Sequence, residues 1–204
     1  MFVTRTEIDA VWPEAYSLIP AQVRDRIPAN VLAAAENSLT FRKGFSFLQS
    51  FVDQMFADLQ YVEGEPWPMW KLISAHSMVE AKVGHETVKR VGATIFSTIP
   101  WPKSVTTIQK AVRELDVAYC NSHSHSRASE PSRRAIGGWS IEREENSRIF
   151  LTTSTLYGDS IDEGVVDGLC QAFQSQSAKY VFPPGGPRKR DGATTTKYIL
   201  SFKS

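Results

Sequence analysis

The stretch WSIEREENSRIFLTTSTLYGDSIDEGVVDGLCQAFQSQSAKYVFPPGGPRKRDGATTTKYILSFKS, residues 139–204, decides the fold. Its first part holds two β-prone runs, 139–143 and 148–154, separated by the polar turn residues EENS, which predicts a hairpin. Ser160-x-x-Glu163 then has the form of a capping box. The helix it would open carries Val165, Val166, Leu169, Cys170 and Phe173. Gly164 and Gly168 lie four apart on that helix, where glycine costs about 1 kcal/mol against alanine. The pair predicts close backbone approach to a neighbouring element. Residues 179–182 read as a third strand, PPGGPRKRDGA as a turn, and 194–202 as a fourth strand. In that fourth strand Tyr198, Leu200 and Phe202 share one face, and Lys197, Ser201 and Lys203 the other.

Upstream, the pattern is helical. Leu48, Phe51, Val52, Met55, Phe56 and Leu59 keep the spacing of one helical face, which predicts a helix over 44–59. Residues 71–99 read as two helices broken at Gly84 and ended by IPWP, because Pro100 and Pro102 cannot continue a helix. Ser104 is then the expected N-cap of another helix bearing Val105, Ile108, Val112, Leu115 and Tyr119. The first 40 residues are punctuated by Pro13, Pro20 and Pro28, so short helices are expected, with VLAAAEN (31–37) a helical piece. GEPWPMW (64–70) reads as a stiff apolar loop, and CNSHSHSRASEPS (120–132) as a polar loop. The expected architecture is therefore α+β: a helical N-terminal part over a small antiparallel four-stranded sheet with β-β-α-β-β order. It forms one domain over 1–204, divided into an N-terminal helical arm (1–40), a helical part (41–120) and a sheet part (139–204).

Composition bounds the function classes. The chain has 204 residues, 42% hydrophobic and 22% charged, with a net charge of +1. There is no global pull toward nucleic acid or anionic membrane, and no apolar run of bilayer length. Two cysteines, Cys120 and Cys170, make no disulfide framework and suit a reducing cytoplasm. The amino terminus does not read as a signal peptide. A cytoplasmic location is expected.

Three segments, RIFLTTSTLYGDSIDEGVVDGLCQAF (148–173), DGATTTKYILSF (191–202) and VGHETVKRVGATIFSTIPWP (83–102), resemble one superfamily in their element order. It contains the haem-nitric-oxide-binding (H-NOX) fold and haem-free relatives: vinyl-reductase-type sensor domains, a myxobacterial family and TRAPP vesicle-tethering subunits. The resemblance spans roughly residues 45–204. It implies a binder of a hydrophobic small molecule or lipid chain that feeds a signalling or assembly partner; a homodimer formed through helical faces is a separate expectation. Haem-binding members carry Tyr-x-Ser-x-Arg to hold the haem propionates. The matching positions here are Thr152, Ser154 and Leu156, of which only the serine agrees. Leucine cannot form the Arg–carboxylate fork. Neither His76 nor His85 matches the family's proximal histidine. The expectation is therefore a domain without haem or other cofactor.

Other chemistry is thin. Cys120-x-x-His123-x-His125 is a local group of soft ligands, but standard zinc spacings are absent and a polar loop holding two histidines is the simpler reading. His85-Glu86 lacks the second histidine of a metalloprotease helix, and no nucleophile elbow or phosphate loop occurs. Arg133 and Arg134 could serve anions or simply solvate a loop. Arg188, Lys189 and Arg190 read as a solvated hairpin tip. Trp67, Trp70, Phe96, Trp101 and Tyr119 come from segments that helix-on-sheet packing would bring together, with His76 or Arg113 as the polar contact. These seven form the candidate ligand site. The function read here is a non-enzymatic binding or sensor domain. The alternatives are an enzyme on a small aromatic or isoprenoid substrate, or a ligand-free assembly subunit.

Overall fold

The computed structural model describes residues 2–13, 15–99, 101–123 and 135–203. Its sheet has four antiparallel strands, β3 (Trp139–Glu145), β4 (Arg148–Thr153), β5 (Lys179–Val181) and β6 (Thr196–Ser201), in the order β3-β4-β6-β5. Side-chain alternation sets the register, because one face must be buried. Ile149, Leu151 and Thr153 of β4 face inward beside Leu200, Tyr198 and Thr196 of β6, while Phe150, Thr152, Lys197 and Ile199 face outward. Pairing shifts at a bulge between Ile141 and Arg143. The expected α+β fold and antiparallel sheet are present.

The helix between the hairpins, here α9 (Asp159–Ala172), is buried on nearly every side. It lies between the sheet and α7 (His85–Thr98). Glycine makes this contact possible. A Cβ on Gly164 would lie 2.3 Å from the Lys89 carbonyl oxygen and 2.7 Å from Gly92 Cα, and one on Gly168 would lie 2.4 Å from the Ala93 oxygen. The Ser160/Glu163 capping box does not form. The N-cap is Gly158 without a side-chain bond, Ser160 Oγ donates to Glu80, and Glu163 accepts from Lys89. Tertiary charge partners outcompete the local cap.

The remaining helices form the shell: α1 (Arg5–Val11), α2 (Ala15–Leu18), α3 (Ala21–Arg24), α4 (Ala35–Gly44), α5 (Gln49–Asp58), α6 (Met69–Val83) and α8 (Ile108–His123). Gly84, with φ +81°, separates α6 from α7 as expected. Other boundaries differ. Residues 31–37 are not one helix: β1 (Leu32–Ala33) pairs with β2 (Trp67–Pro68), which also orders the apolar loop 64–70. The helix expected over 44–59 starts only at Gln49, after a 3-10 turn at Ser46–Leu48. Ser104 does not cap α8; the Lys110 amide donates to Thr107 Oγ1. The N-terminal residues are part of the body, since Ile8, Ile19 and Ile27 share one hydrophobic core with Tyr198 and Leu200. Among the described residues, no helix is long and apolar enough to cross a membrane.

Candidate ligand site

Between α4, α6, α8 and the start of α9 lies a cavity of about 570 Å³, within the size range of small-molecule sites. Its walls are mainly apolar. Phe41 comes from α4, Leu72 from α6, Leu115 from α8, and Ile161 and Val165 from α9. Polar aromatic groups converge on it, among them His76, His123 and Tyr157.

His123 sits in the last turn of α8, so the segment expected to be a loop from Cys120 onward begins as helix. The end of α8 is pinned from α4, because the Ala34 amide and the Asn37 side-chain amide both donate to the Ser122 carbonyl, at 2.7 and 2.8 Å. The His123 ring is fixed in turn. Its Nδ1 lies 2.8 Å from the Tyr119 carbonyl oxygen and 2.9 Å from Ser122 Oγ. A neutral imidazole donating from Nδ1 to that carbonyl leaves Nε2 with a lone pair, and Nε2 lies 2.6 Å from the Tyr157 hydroxyl. Burial pushes the His123 pKa down to about 4, so the ring is neutral at pH 7.

His76 projects from α6, whose Leu72, Ile73, His76 and Val79 share the buried face. Its ring stands edge-on to Phe41, Tyr157 and Phe45, with centroids 4.6, 5.2 and 6.4 Å away. Its buried Nδ1 has no hydrogen-bond partner among the described residues. Burial first, and the nearby His123 second, push its pKa down to about 3. Tyr157 stands between the two imidazoles, 5.2 Å from each ring centroid.

The loop carrying Tyr157 is anchored by an internal charge. Lys189 is 2% exposed. Its Nζ donates to the Thr155 and Tyr157 carbonyl oxygens at 3.0 Å each and forms an ion pair with Asp162. Asp162 also accepts from Thr153 and Thr155, each at 2.8 Å. Arg188 pairs with Asp159 and Glu163, at 3.1 Å each. The expected solvated tip is thus corrected at Arg188 and Lys189: acids at the start of α9 draw both side chains inward.

Of the seven candidate residues, His76, Trp101 and Tyr119 line the cavity. The other four do not. Trp67 is buried against Phe56 and Tyr61, and Lys71 lies over the Trp70 ring. Phe96 packs tilted against the Trp101 ring with centroids 4.8 Å apart, and Arg113 is held on the surface of α8 by both oxygens of Glu144. Sequence spacing presents His123 only as part of a metal-ligand run. Cys120 is buried on α8, and His125, Arg133 and Arg134 lie outside the described residues. No group of three or more His, Cys, Asp or Glu able to hold a metal ion occurs among the described residues. Tyr157, Phe41 and Asn37 were missed. The signal for His123 was its place one helical turn beyond the regular series Val105, Ile108, Val112, Leu115 and Tyr119.

Comparison with solved structures identifies the fold. An H-NOX protein from S. oneidensis in its Fe(II)NO state matches with a TM-score of 0.57 at 16% identity, covering 84% of this chain and 99% of that one. A mutant of T. tengcongensis H-NOX matches with a TM-score of 0.58 at 13% identity, covering 84% and 98%. A third structure, from work on haem redox potential and protein-induced porphyrin distortion, matches with a TM-score of 0.56 at 14% identity, covering 81% and 96%. The chain has an H-NOX-like fold. No protein-family model and no curated protein matches the sequence.

These findings correct the expectation of a domain without haem. The structures that match most of this chain include an H-NOX protein in an Fe(II)NO state and one from work on haem redox potential, and the cavity here is lined by an imidazole, that of His123, outside the two histidines weighed from the sequence. A haem-ligating histidine needs a neutral ring, a free nitrogen lone pair and a second-shell acceptor for its other N–H. His123 has the neutral ring and the acceptor for its Nδ1–H, while its Nε2 lone pair accepts from the Tyr157 hydroxyl at 2.6 Å, so a metal would have to displace that bond. The propionate positions do not fit as the family has them. Thr152 bonds Glu142 on the outer sheet face, Ser154 Oγ bonds the Gly138 backbone, and Leu156 is fully buried.

Proposed function

We propose that this chain is a ligand-binding domain of the sensor type, whose central cavity would take haem, with the His123 imidazole as the group that would hold its iron. One observation carries the reading: a buried, neutral imidazole lines a mainly apolar cavity of about 570 Å³, locked through Nδ1 to a backbone carbonyl and with Nε2 held by nothing stronger than the Tyr157 hydroxyl. When bound, haem supplies an iron that can take a small gaseous ligand. The chain's own part is to orient His123 through Tyr119 and Ser122 and to exclude water with Phe41, Leu72, Ile161 and Val165. His76 adds a second neutral nitrogen to the same space.

The test is direct. Purified protein is mixed with haemin, freed of excess by gel filtration, and examined by absorbance. One tightly held haem per chain, with the spectrum of an imidazole-ligated iron, is the expected result. Failure to retain haem at equimolar concentration contradicts the proposal.

A further inference from the structure

The central cavity has charged groups of one sign only. Glu36, Glu114 and Asp162 contribute to its lining, and neither lysine nor arginine does among the described residues. Asp162 is neutralised by Lys189, whereas Glu36 and Glu114 leave acid groups in the wall. A carboxylate brought close to either would be repelled and would find no cation.

A second groove, of about 540 Å³, runs between α4 and α7. Thr40 and Thr98 line both spaces, so the groove adjoins the cavity across these two residues. The groove carries cations, Lys43 and Arg90. Helical spacing orders them. Lys43 follows Thr40 by three residues on α4, an axial step of about 4.5 Å, while Arg90, Thr94 and Thr98 fall four apart along one stripe of α7. Neither Lys43 nor Arg90 makes an ion pair among the described residues. Their chain neighbours do, Arg42 with Asp53 and Lys89 with Glu163. The hydroxyls of Thr94 and Thr98 donate to carbonyls of their own helix, at 2.7 and 2.8 Å, so an anion here falls to the two side-chain cations.

We infer that the groove between α4 and α7 is the anion-holding annex of the central cavity: the ligand's apolar body fills the cavity and its carboxylates pass between Thr40 and Thr98 to Lys43 and Arg90. The inference rests on the reading of the cavity as a ligand site, and it assigns the ligand class, a largely apolar molecule with one or two carboxylates. For haem, these residues do the work that the resemblance assigns to positions 152 and 156. Arg90 can offer a two-pronged fork to a carboxylate, and Lys43 a point charge. Both cations are exposed, so they cost little desolvation while unoccupied.

The experiment uses two metal-free probes, protoporphyrin IX with two carboxylates and its dimethyl ester with none, so that iron ligation plays no part. Each is titrated into the full chain and into the Lys43→Ala/Arg90→Ala double variant, following porphyrin fluorescence. The diacid is expected to bind the double variant about tenfold more weakly, the ester to bind both proteins equally, and added salt to weaken only diacid binding to the wild type. Equal diacid affinity for the two proteins overturns the inference while leaving the cavity reading intact. So does an equal loss for diacid and ester. If neither porphyrin binds the wild-type chain, the cavity reading falls and the inference falls with it.

Discussion

Tyr157 stands with its hydroxyl 2.6 Å from His123 Nε2, so two side chains of the cavity wall hold each other. Burial keeps the phenol protonated, with its pKa raised far above the ordinary value, so it is the donor and the imidazole the acceptor. A metal can reach Nε2 only after this bond opens. Tyr157→Phe should therefore tighten haem binding by about three- to tenfold, the equivalent of one net hydrogen bond, and lower folding stability by about 1 kcal/mol. Haemin titration beside urea denaturation checks both. Weaker haem binding in the variant would contradict the antagonism.

The two buried imidazoles also predict an acid-sensitive fold. His76 and His123 have folded pKa values of about 3 and about 4, below the ordinary 6.5. Between those values the unfolded chain binds more protons than the folded one. Stability is thus complete above pH 6.5 and is lost as pH falls. Each histidine should cost on the order of a few kcal/mol by pH 4. His76→Leu should flatten the fall between pH 6.5 and 4 in urea titrations at stepped pH. An unchanged slope would show that His76 is not buried neutral.

Lys189 commits a charged group to the interior. Lys189→Met leaves Asp162 buried without its cation and should cost about 3–5 kcal/mol. Adding Asp162→Asn should recover part of the loss, because a neutral amide needs no counter-charge. Chemical denaturation of the two variants checks this. A cost below about 1 kcal/mol for the single variant would mean that Lys189 is solvated.

The helix contact predicts a sharp contrast between glycines. Gly164→Ala places a methyl 2.3 Å from the Lys89 carbonyl oxygen, against backbone that cannot turn away. It should destabilise by more than about 3 kcal/mol. At Gly185, where φ is +65° and nothing lies within 4 Å, alanine should cost only about 1 kcal/mol, the strain of a left-handed backbone. Thermal melts rank the two. Equal costs would contradict the close α7–α9 approach.

The sheet was legible in the sequence because one face of β4 and β6 is buried, and a period of two cannot slip without exposing Leu151, Tyr198 and Leu200. The break at Gly84 was legible because the chain there adopts a backbone that favours glycine. The site was harder. His123 lies among serines, whose local signal is loop, yet tertiary bonds from Ala34 and Asn37 hold that turn helical. Lys189 stands in a run of charge that reads as solvent-facing, and its partner Asp162 lies 27 residues away. The N-cap at Gly158 was obscured by a Ser/Glu pattern whose two side chains serve α6 and α7 instead. Long-range electrostatics decided each of these cases, and local spacing carries no record of it.

The central claim is that His123 would hold the iron of a haem in the cavity, and haemin titration of the wild type, His123→Ala and His76→Ala tests it most directly. The wild type should bind one haem with an imidazole-type spectrum. His123→Ala should lose that spectrum and regain it when free imidazole is added, while His76→Ala keeps it. An unaltered spectrum and affinity in His123→Ala would contradict the claim.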